Sequence, residues 1–152
     1  MEYRFLSPVG TVCLTGDGVS LTSLTIERDC QPSDRGDSVW DIFLTAEMQL
    51  NEYFSGSRKV FKLPLSYSGT PFQTSVWDEL QRIPYGETVT YGELAAAIGK
   101  PGAYRAVGSA VGKNPLSIIV PCHRVLAVNG LGGYAFGLDI KKLLLELESK
   151  NR

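Results

Sequence analysis

Residues 90–112 read Thr-Tyr-Gly-Glu-Leu-Ala-Ala-Ala-Ile-Gly-Lys-Pro-Gly-Ala-Tyr-Arg-Ala-Val-Gly-Ser-Ala-Val-Gly, and they carry the signals of two short helices. Thr90 followed by Glu93 is a capping box, which predicts that a helix begins there. The Gly-Lys-Pro-Gly run ends that helix, and a second helix is predicted over Tyr104–Gly112. Two short helices joined by such a turn form a helix-turn-helix unit, a pattern that also occurs in proteins that bind no DNA.

The second of these helices contains glycine at positions 108 and 112. An interior glycine costs about 1 kcal/mol relative to alanine, so some gain should offset it. Close approach of the helix backbone to another molecule would do so. Tight packing inside the protein is the alternative.

Two further helices are predicted around this unit. Thr70 caps the first, with Pro71 at its first position and Gln73 completing the capping box. Its apolar residues follow at helical spacing, and Pro-Tyr-Gly at 84–86 stops it. The apolar residues of this helix are Phe72, Val76, Leu80 and Ile83.

The last helix is amphipathic, and Glu148 lies beside its apolar stripe, one turn after Leu144. A buried glutamate needs a partner, for which His123, the only histidine in the chain, is a candidate. The predicted stripe consists of Ile140, Leu143, Leu144 and Leu147.

The first third of the chain has the signals of an antiparallel sheet followed by a helix. Strands are predicted at residues 3–6, 11–14 and 21–26, which are β-rich and separated by turn residues. A polar loop is predicted at 27–38 and a further strand at 58–65. A helix is predicted over 39–53, with Trp40, Phe43, Leu44 and Leu50 on one face. The chain as a whole is therefore predicted to be α+β.

Composition indicates an ordinary globular protein. Of 152 residues, 43% are hydrophobic and 20% are charged, which suits one good core and a small second lobe. No apolar run is long enough to span a bilayer, and the first residues do not predict a secretory signal. Three scattered cysteines predict at least one free thiol and a reducing, cytoplasmic location.

The formal net charge of −1 conceals an asymmetry. Residues 1–70 carry more acidic than basic side chains, whereas residues 94–142 carry six Lys or Arg and only Asp139 as an acid. A basic surface suits a polyanion. A solvated face that happens to be basic would give the same count.

Cys122 is the candidate nucleophile. It follows a proline and precedes His123, and a thiol beside a near-neutral base is a pattern typical of an activated cysteine. Neither Cys13 nor Cys30 has a basic residue directly beside it. A cysteine hydrolase, or a zinc site formed by the other two cysteines and His123, are the competing interpretations, although the chain has no hydrolase signature and no metal-ligand spacing.

From about residue 70 to 148 the chain resembles the O6-alkylguanine-DNA alkyltransferases, also called methylated-DNA–protein-cysteine methyltransferases. Four elements carry the likeness in the order and spacing of the family. They are Tyr-Gly-Glu-Leu-Ala at 91–95, Arg-Ala-Val-Gly-Ser-Ala at 105–110, Asn-Pro at 114–115 with Pro-Cys-His-Arg-Val at 121–125, and a closing segment with Gly132, Gly133, Tyr134, Gly137, Lys141, Leu144, Leu145 and Glu148.

The resemblance implies direct-reversal DNA repair, in which an alkyl group passes from guanine O6 to Cys122. His123, through a water, would take the thiol proton, and Glu148 would orient and stabilise the imidazolium. The Tyr91 hydroxyl would donate to a ring nitrogen of the base. Asn114 would tie the active-site turn to the second helix of the helix-turn-helix, Tyr104–Gly112, which corresponds to the recognition helix of the family. Displacement at saturated carbon favours a thiolate, and the thioether product implies one turnover per molecule.

The same resemblance implies duplex DNA as the partner, with O4-alkylthymine as a second possible substrate. Because the thiol cannot reach a stacked base, the nucleotide would be flipped out, with Arg105 entering the gap. Ala106 and Gly108 would let the helix lie in the minor groove. A regulator or damage sensor that binds without reacting is the non-enzymatic alternative.

Main-chain groups near Cys122, Val125 and Ala135 are expected to read the flipped base, with Tyr134 beside it. Ala135 stands where other members carry serine, a difference that concerns the size of the accepted alkyl group. The resemblance also implies a ribonuclease-H-like N-terminal domain over residues 1–66 and a mostly helical DNA-binding domain over 67–152. We expect a monomer that needs neither metal nor cofactor and has no membrane association.

Overall fold

The β-rich runs at the start of the chain form a three-stranded antiparallel sheet in the computed structural model, which describes residues 1–33 and 39–152. Each predicted strand is present and slightly longer than predicted, and Val12 pairs with Phe5 on one side and Ile26 on the other. Glu27 still belongs to the third strand, and residues 34–38 of the predicted loop lie outside the described residues. The elements of this first compact unit, Met1–Tyr67, are β1 (Glu2–Ser7), β2 (Gly10–Gly16), β3 (Leu21–Glu27) and α1 (Asp41–Phe54).

Helix α1 covers the sheet with one apolar face. Phe43 is buried, and its ring stacks on Tyr3 of β1 at 5.8 Å and on Trp40 at 5.4 Å. The Tyr3 hydroxyl donates to Glu47 at 2.6 Å. The prediction that Leu44 shares this face is wrong, because it lies on the neighbouring flank of the helix and is 40% exposed.

The strand predicted at residues 58–65 is also wrong. All of these residues are described, and only Leu65 makes a β-bridge, parallel to Leu21. Pro64 has no N–H to give to a ladder, although its carbonyl accepts from Leu21. The segment therefore runs beside the sheet edge without extending the sheet.

The second unit, Ser68–Arg152, is mostly helical. Among the residues that the structure describes, no helix combines the length and the apolar character needed to cross a bilayer. Together the two units confirm the predicted α+β class. The elements are α2 (Pro71–Leu80), β4 (Val89–Thr90), α3 (Tyr91–Ala97), α4 (Tyr104–Gly112), a 3-10 turn (Cys122–Arg124), β5 (Val125–Leu126) and α5 (Leu138–Lys150).

Both predicted capping boxes are present. The Thr70 and Thr90 hydroxyls each accept from the backbone N–H three residues later, and the Gln73 and Glu93 side chains reach back to the cap. Helix α2 ends at Leu80, one turn earlier than predicted, so Ile83 is buried outside the helix.

Helices α3 and α4 pack as the predicted helix-turn-helix, and α2 packs against α4. The buried indole of Trp77 in α2 donates to the carbonyl of Ala110 in α4 at 2.9 Å. This bond ties the middle of α4 to the core of the second unit.

The buried face of α5 differs from the predicted stripe. Leu143 is 39% exposed, whereas Lys141 and Glu148 are almost completely buried. Lys141 and Glu148 lie seven residues, or two turns, apart, and they therefore share one face with Ile140 and Leu144. Two charged side chains thus lie on the face that packs against the core, and each has polar partners there.

Candidate active site

The turn that presents Cys122 begins where α4 ends. The Asn114 side chain donates to the Val120 carbonyl at 2.8 Å and accepts from the Leu116 N–H at 3.0 Å. Ile118 within this turn has φ of 73°, a left-handed conformation that is unfavourable for a β-branched residue. Asn114 therefore holds a strained turn in one conformation, which places the cysteine.

Cys122 opens onto a cavity of about 110 Å³. Its side chain is largely buried, and burial raises the pKa of the thiol because a thiolate is poorly solvated there. Hydrogen bonds from Asn114 and Ser117 and the charge of Lys141 oppose that rise without cancelling it. The resting group is therefore a thiol that needs a base. The cavity is lined by Tyr91, Gly108, Val111, Gly112, Asn114, Ser117, Cys122, Gly133, Tyr134 and Ala135.

His123 and Glu148 are in direct contact, with Nε2 of the imidazole 2.6 Å from Oε2 of the carboxylate. Arg124 binds the same carboxylate through two nitrogens, at 2.8 and 3.1 Å, and donates to the Ile83 carbonyl at 2.6 Å. The Gly86 N–H adds a fourth bond to Glu148 at 3.1 Å. His123 and Arg124 thus share the buried carboxylate of Glu148.

Burial lowers the pKa of His123, because an imidazolium would be poorly solvated. Glu148 opposes this shift, but Arg124 already neutralises the carboxylate and, with Lys141, repels a second positive charge. His123 is therefore neutral at rest and can accept a proton.

The free energy of unfolding should fall in mild acid. Since the pKa of His123 is lower in the folded protein, the unfolded chain takes up a proton that the native state refuses as pH drops through about 6.5. This contribution is complete above that pH and is lost below it, at up to about 1.4 kcal/mol per pH unit. Chemical denaturation between about pH 7.5 and 5.5 would measure it, since other side chains rarely titrate there. A stability that is constant or rises toward acid would contradict a neutral buried histidine.

Tyr91, the first residue of α3, places its ring in the wall of the cavity. Its hydroxyl accepts a hydrogen bond from the Gly133 N–H at 3.3 Å. Gly132 must be glycine, because its φ is 74° and an added Cβ would lie 2.9 Å from the tyrosine ring. The hydroxyl retains its own proton for donation to a molecule in the cavity.

The recognition helix places its predicted residues at two sites. Arg105 and Ala106 are exposed on its outer surface, whereas Gly108 lines the cavity. Internal packing does not require these glycines: a Cβ at Gly108 would meet only ordinary contacts, at 3.8 Å from Tyr91, and one at Gly112 would meet nothing. The free-energy cost of glycine in this helix is therefore not offset by packing within the protein.

Of the three remaining predicted residues, Tyr134 and Ala135 line the cavity and Val125 does not. Burial raises the pKa of the Tyr134 phenol, with the nearby Cys122 adding to the shift. Val125 is fully buried in β5; its backbone N–H donates to the backbone carbonyl of Cys122, and its own carbonyl accepts from the Lys141 ammonium. Both main-chain groups of Val125 are thus already engaged within the protein.

The sequence analysis assigned no individual role to Arg124, Ser117 or Lys141, and it counted Arg124 and Lys141 only toward the basic surface. Burial lowers the pKa of the Lys141 ammonium, which binds three backbone carbonyls. The signal in the sequence that Lys141 is buried is its seven-residue spacing from Glu148, which places both side chains on one face of α5.

The basic surface is also smaller than the count predicts, because Arg124 and Lys141 are buried. In the described part of the chain, no group of three or more His, Cys, Asp or Glu is arranged to hold a metal ion.

Two family models together match almost the whole chain. Residues 3–67 match the model described as 6-O-methylguanine DNA methyltransferase, ribonuclease-like domain, and residues 71–150 match the DNA binding domain of the same family. A methylated-DNA–protein-cysteine methyltransferase of Methanosarcina acetivorans is 50% identical over 149 residues, covering 95% of both chains. One of Mycolicibacterium paratuberculosis is 46% identical, covering 99% of this chain and 94% of the relative.

Solved structures give the same result. A crystal structure of Mycobacterium tuberculosis OGT in complex with DNA superposes with a TM-score of 0.87 at 46% identity, covering 97% of this chain and 92% of that one. An O6-methylguanine DNA methyltransferase from Methanococcus jannaschii gives a TM-score of 0.73 at 31% identity, covering 98% and 94%. The chain belongs to the 6-O-methylguanine DNA methyltransferase family.

Proposed function

We propose that the protein repairs duplex DNA by transferring the alkyl group of O6-alkylguanine to Cys122. The observation that carries this proposal is a buried thiol in a cavity whose wall presents the Tyr91 hydroxyl, next in sequence to a histidine held by Glu148. Membership of a methylated-DNA–protein-cysteine methyltransferase family gives the reaction class. O4-alkylthymine presents a similar alkyl ether and is a second candidate substrate.

In the proposed step, a bond forms between Cys122 Sγ and the alkyl carbon while the bond from that carbon to guanine O6 breaks. The thiol proton passes to His123, through a water, and Glu148 stabilises the imidazolium. Tyr91 donates a hydrogen bond to a ring nitrogen of the leaving guanine, whose negative charge would otherwise develop unopposed. The product thioether has no carbonyl for water to attack, so each molecule reacts once.

The recognition helix supplies the DNA surface in this proposal. Glycines at 108 and 112 that internal packing does not need would let the helix backbone approach a groove closely. Lys100, Arg105 and Lys113 are exposed on or beside the two helices and can contact phosphates. Affinity should therefore weaken as salt rises.

We further propose that residues 1–66 and 67–152 are separate domains and that the protein acts as an intracellular monomer. The two compact units and the ranges matched by the two family models support this division. A reducing compartment suits a protein whose three cysteines are all free.

Intact-protein mass spectrometry after mixing with a duplex carrying one O6-methylguanine tests the proposed reaction. We expect one methyl group per protein, mapped by peptide analysis to Cys122. Tight binding with unchanged mass would instead identify a damage sensor. No binding at all would return the cysteine hydrolase to consideration.

Replacing Arg105 by alanine should slow alkyl transfer from duplex DNA without slowing alkyl transfer from the free base. If Arg105 fills the gap left by the flipped nucleotide and offsets about 2 kcal/mol of the flipping cost, the rate on duplex DNA should fall about 30-fold. The rate with free O6-alkylguanine base should not change. Arg82→Ala is the matched control, since Arg82 is an exposed arginine of the same unit and forms an ion pair with Glu79 across 3.4 Å. Equal loss on both substrates would refute the role in flipping.

A further inference from the structure

Lys141 is completely buried, and its ammonium is bound by one segment of backbone. The nitrogen donates to the carbonyls of Val125 at 2.6 Å, Leu131 at 2.5 Å and Gly133 at 3.0 Å. A buried ammonium is costly unless its donors are satisfied, and three carbonyls satisfy all three. The path of the segment from 125 to 133, named here the carbonyl segment, therefore depends on Lys141.

The carbonyl segment in turn fixes Tyr91. Gly133, whose carbonyl accepts from Lys141, also donates its N–H to the Tyr91 hydroxyl. Gly132 packs so closely against the same ring that even a methyl group there would be 2.9 Å from it. One hydrogen bond and one tight contact thus set both the position of the tyrosine ring and the direction of its hydroxyl.

The direction of that hydroxyl matters for the leaving group. Because the Tyr91 oxygen accepts from the Gly133 N–H, its own proton remains available to a base in the cavity. A hydroxyl that rotated freely would have to be ordered during the reaction, which would raise the barrier.

We propose that Lys141 is a positioning residue for alkyl transfer, which acts on the leaving guanine through the carbonyl segment and Tyr91. The proposal rests on the proposed function. It differs from a direct electrostatic effect of Lys141 on Cys122, in which the tyrosine has no part. The two mechanisms predict different coupling between Lys141 and Tyr91.

A double-mutant cycle distinguishes these mechanisms. Single-turnover rates of methyl transfer would be measured for the wild type, Lys141→Met, Tyr91→Phe and the double variant. We expect Lys141→Met to slow transfer about ten-fold and the double variant to be no slower than Tyr91→Phe alone. Losses that multiply in the double variant, or a Lys141→Met rate equal to that of the wild type, would overturn the proposal.

The matched control is Lys150→Met, which removes the same charge from an exposed position of the same helix and should leave the rate unchanged. Thermal melting of each variant reports whether it folds. If Lys141→Met does not fold, Gly132→Ala displaces Tyr91 from the same segment, and its loss should likewise disappear in the Tyr91→Phe background; persistence of that loss would overturn the proposal. Absence of transfer by the wild-type protein would instead refute the proposed function itself.

Discussion

A Cys122→Ser protein should bind alkylated duplex DNA with unchanged affinity and acquire no alkyl group. The substitution removes one polarisable sulfur from the cavity and leaves Asn114, Tyr91 and the recognition helix in place. A serine hydroxyl is far harder to deprotonate than a thiol, and its oxygen is a poorer nucleophile toward saturated carbon. Neutral His123, the proposed base for the thiol, would not suffice for the less acidic alcohol.

Mass spectrometry and a DNA-binding assay on the same preparation would measure this separation. Cys13→Ser and Cys30→Ser provide the controls, because those two free cysteines belong to the first compact unit and should not affect transfer. Methylation that persists in the Cys122→Ser protein, on whichever residue, would remove Cys122 from the mechanism.

Glu148→Gln should impair both stability and activity. The carboxylate receives bonds from His123, from the Gly86 N–H and, twice, from Arg124, so neutralising it leaves a buried guanidinium without its counter-charge. Breaking a buried pair in this way costs about 3–5 kcal/mol of unfolding free energy. In the proposed mechanism this carboxylate stabilises the imidazolium, so its loss should slow transfer by about 100-fold.

Denaturant titration and single-turnover kinetics would separate the two effects, provided that the rates are measured where the variant remains folded. Glu146→Gln is the control, since Glu146 lies two residues earlier on the same helix and is exposed. A Glu148→Gln protein as stable and as fast as the wild type would mean that the contacts around this carboxylate serve neither folding nor chemistry.

Local signals predicted the helices of the second unit well. The Thr70 and Thr90 capping boxes depend on residues three apart, so the sequence contains both partners. The helix end at Leu80 was predicted one turn late, because the apolar spacing continues through Ile83 although the helix does not. The strand predicted at 58–65 is wrong because β-rich composition does not account for Pro64, which has no N–H for a ladder, so only Leu65 bridges the edge strand β3.

The residue types of the candidate site could be predicted from the sequence, but the hydrogen-bond network that joins them could not. The adjacency of Cys122 and His123 is visible in the sequence, and so is the closeness of Glu148 to the apolar stripe of α5. That Arg124 shares this carboxylate, and that Lys141 reaches three carbonyls, depends on contacts between residues 8 to 24 positions apart. From sequence alone, a charged side chain is normally predicted to be exposed to solvent. Only the packing of α5 shows that these side chains are buried.

The hydrogen bond between Trp77 and the Ala110 carbonyl gives the protein an intrinsic optical probe. The chain has only one other tryptophan, Trp40, so a Trp40→Phe protein would contain a single indole, bonded to the recognition helix. Indole emission responds to changes in hydrogen bonding and polarity around the ring. Movement of α4 on DNA binding or on alkylation of Cys122 would then be visible in stopped-flow fluorescence, with unlabelled protein and unlabelled DNA, during the single reaction that each molecule performs.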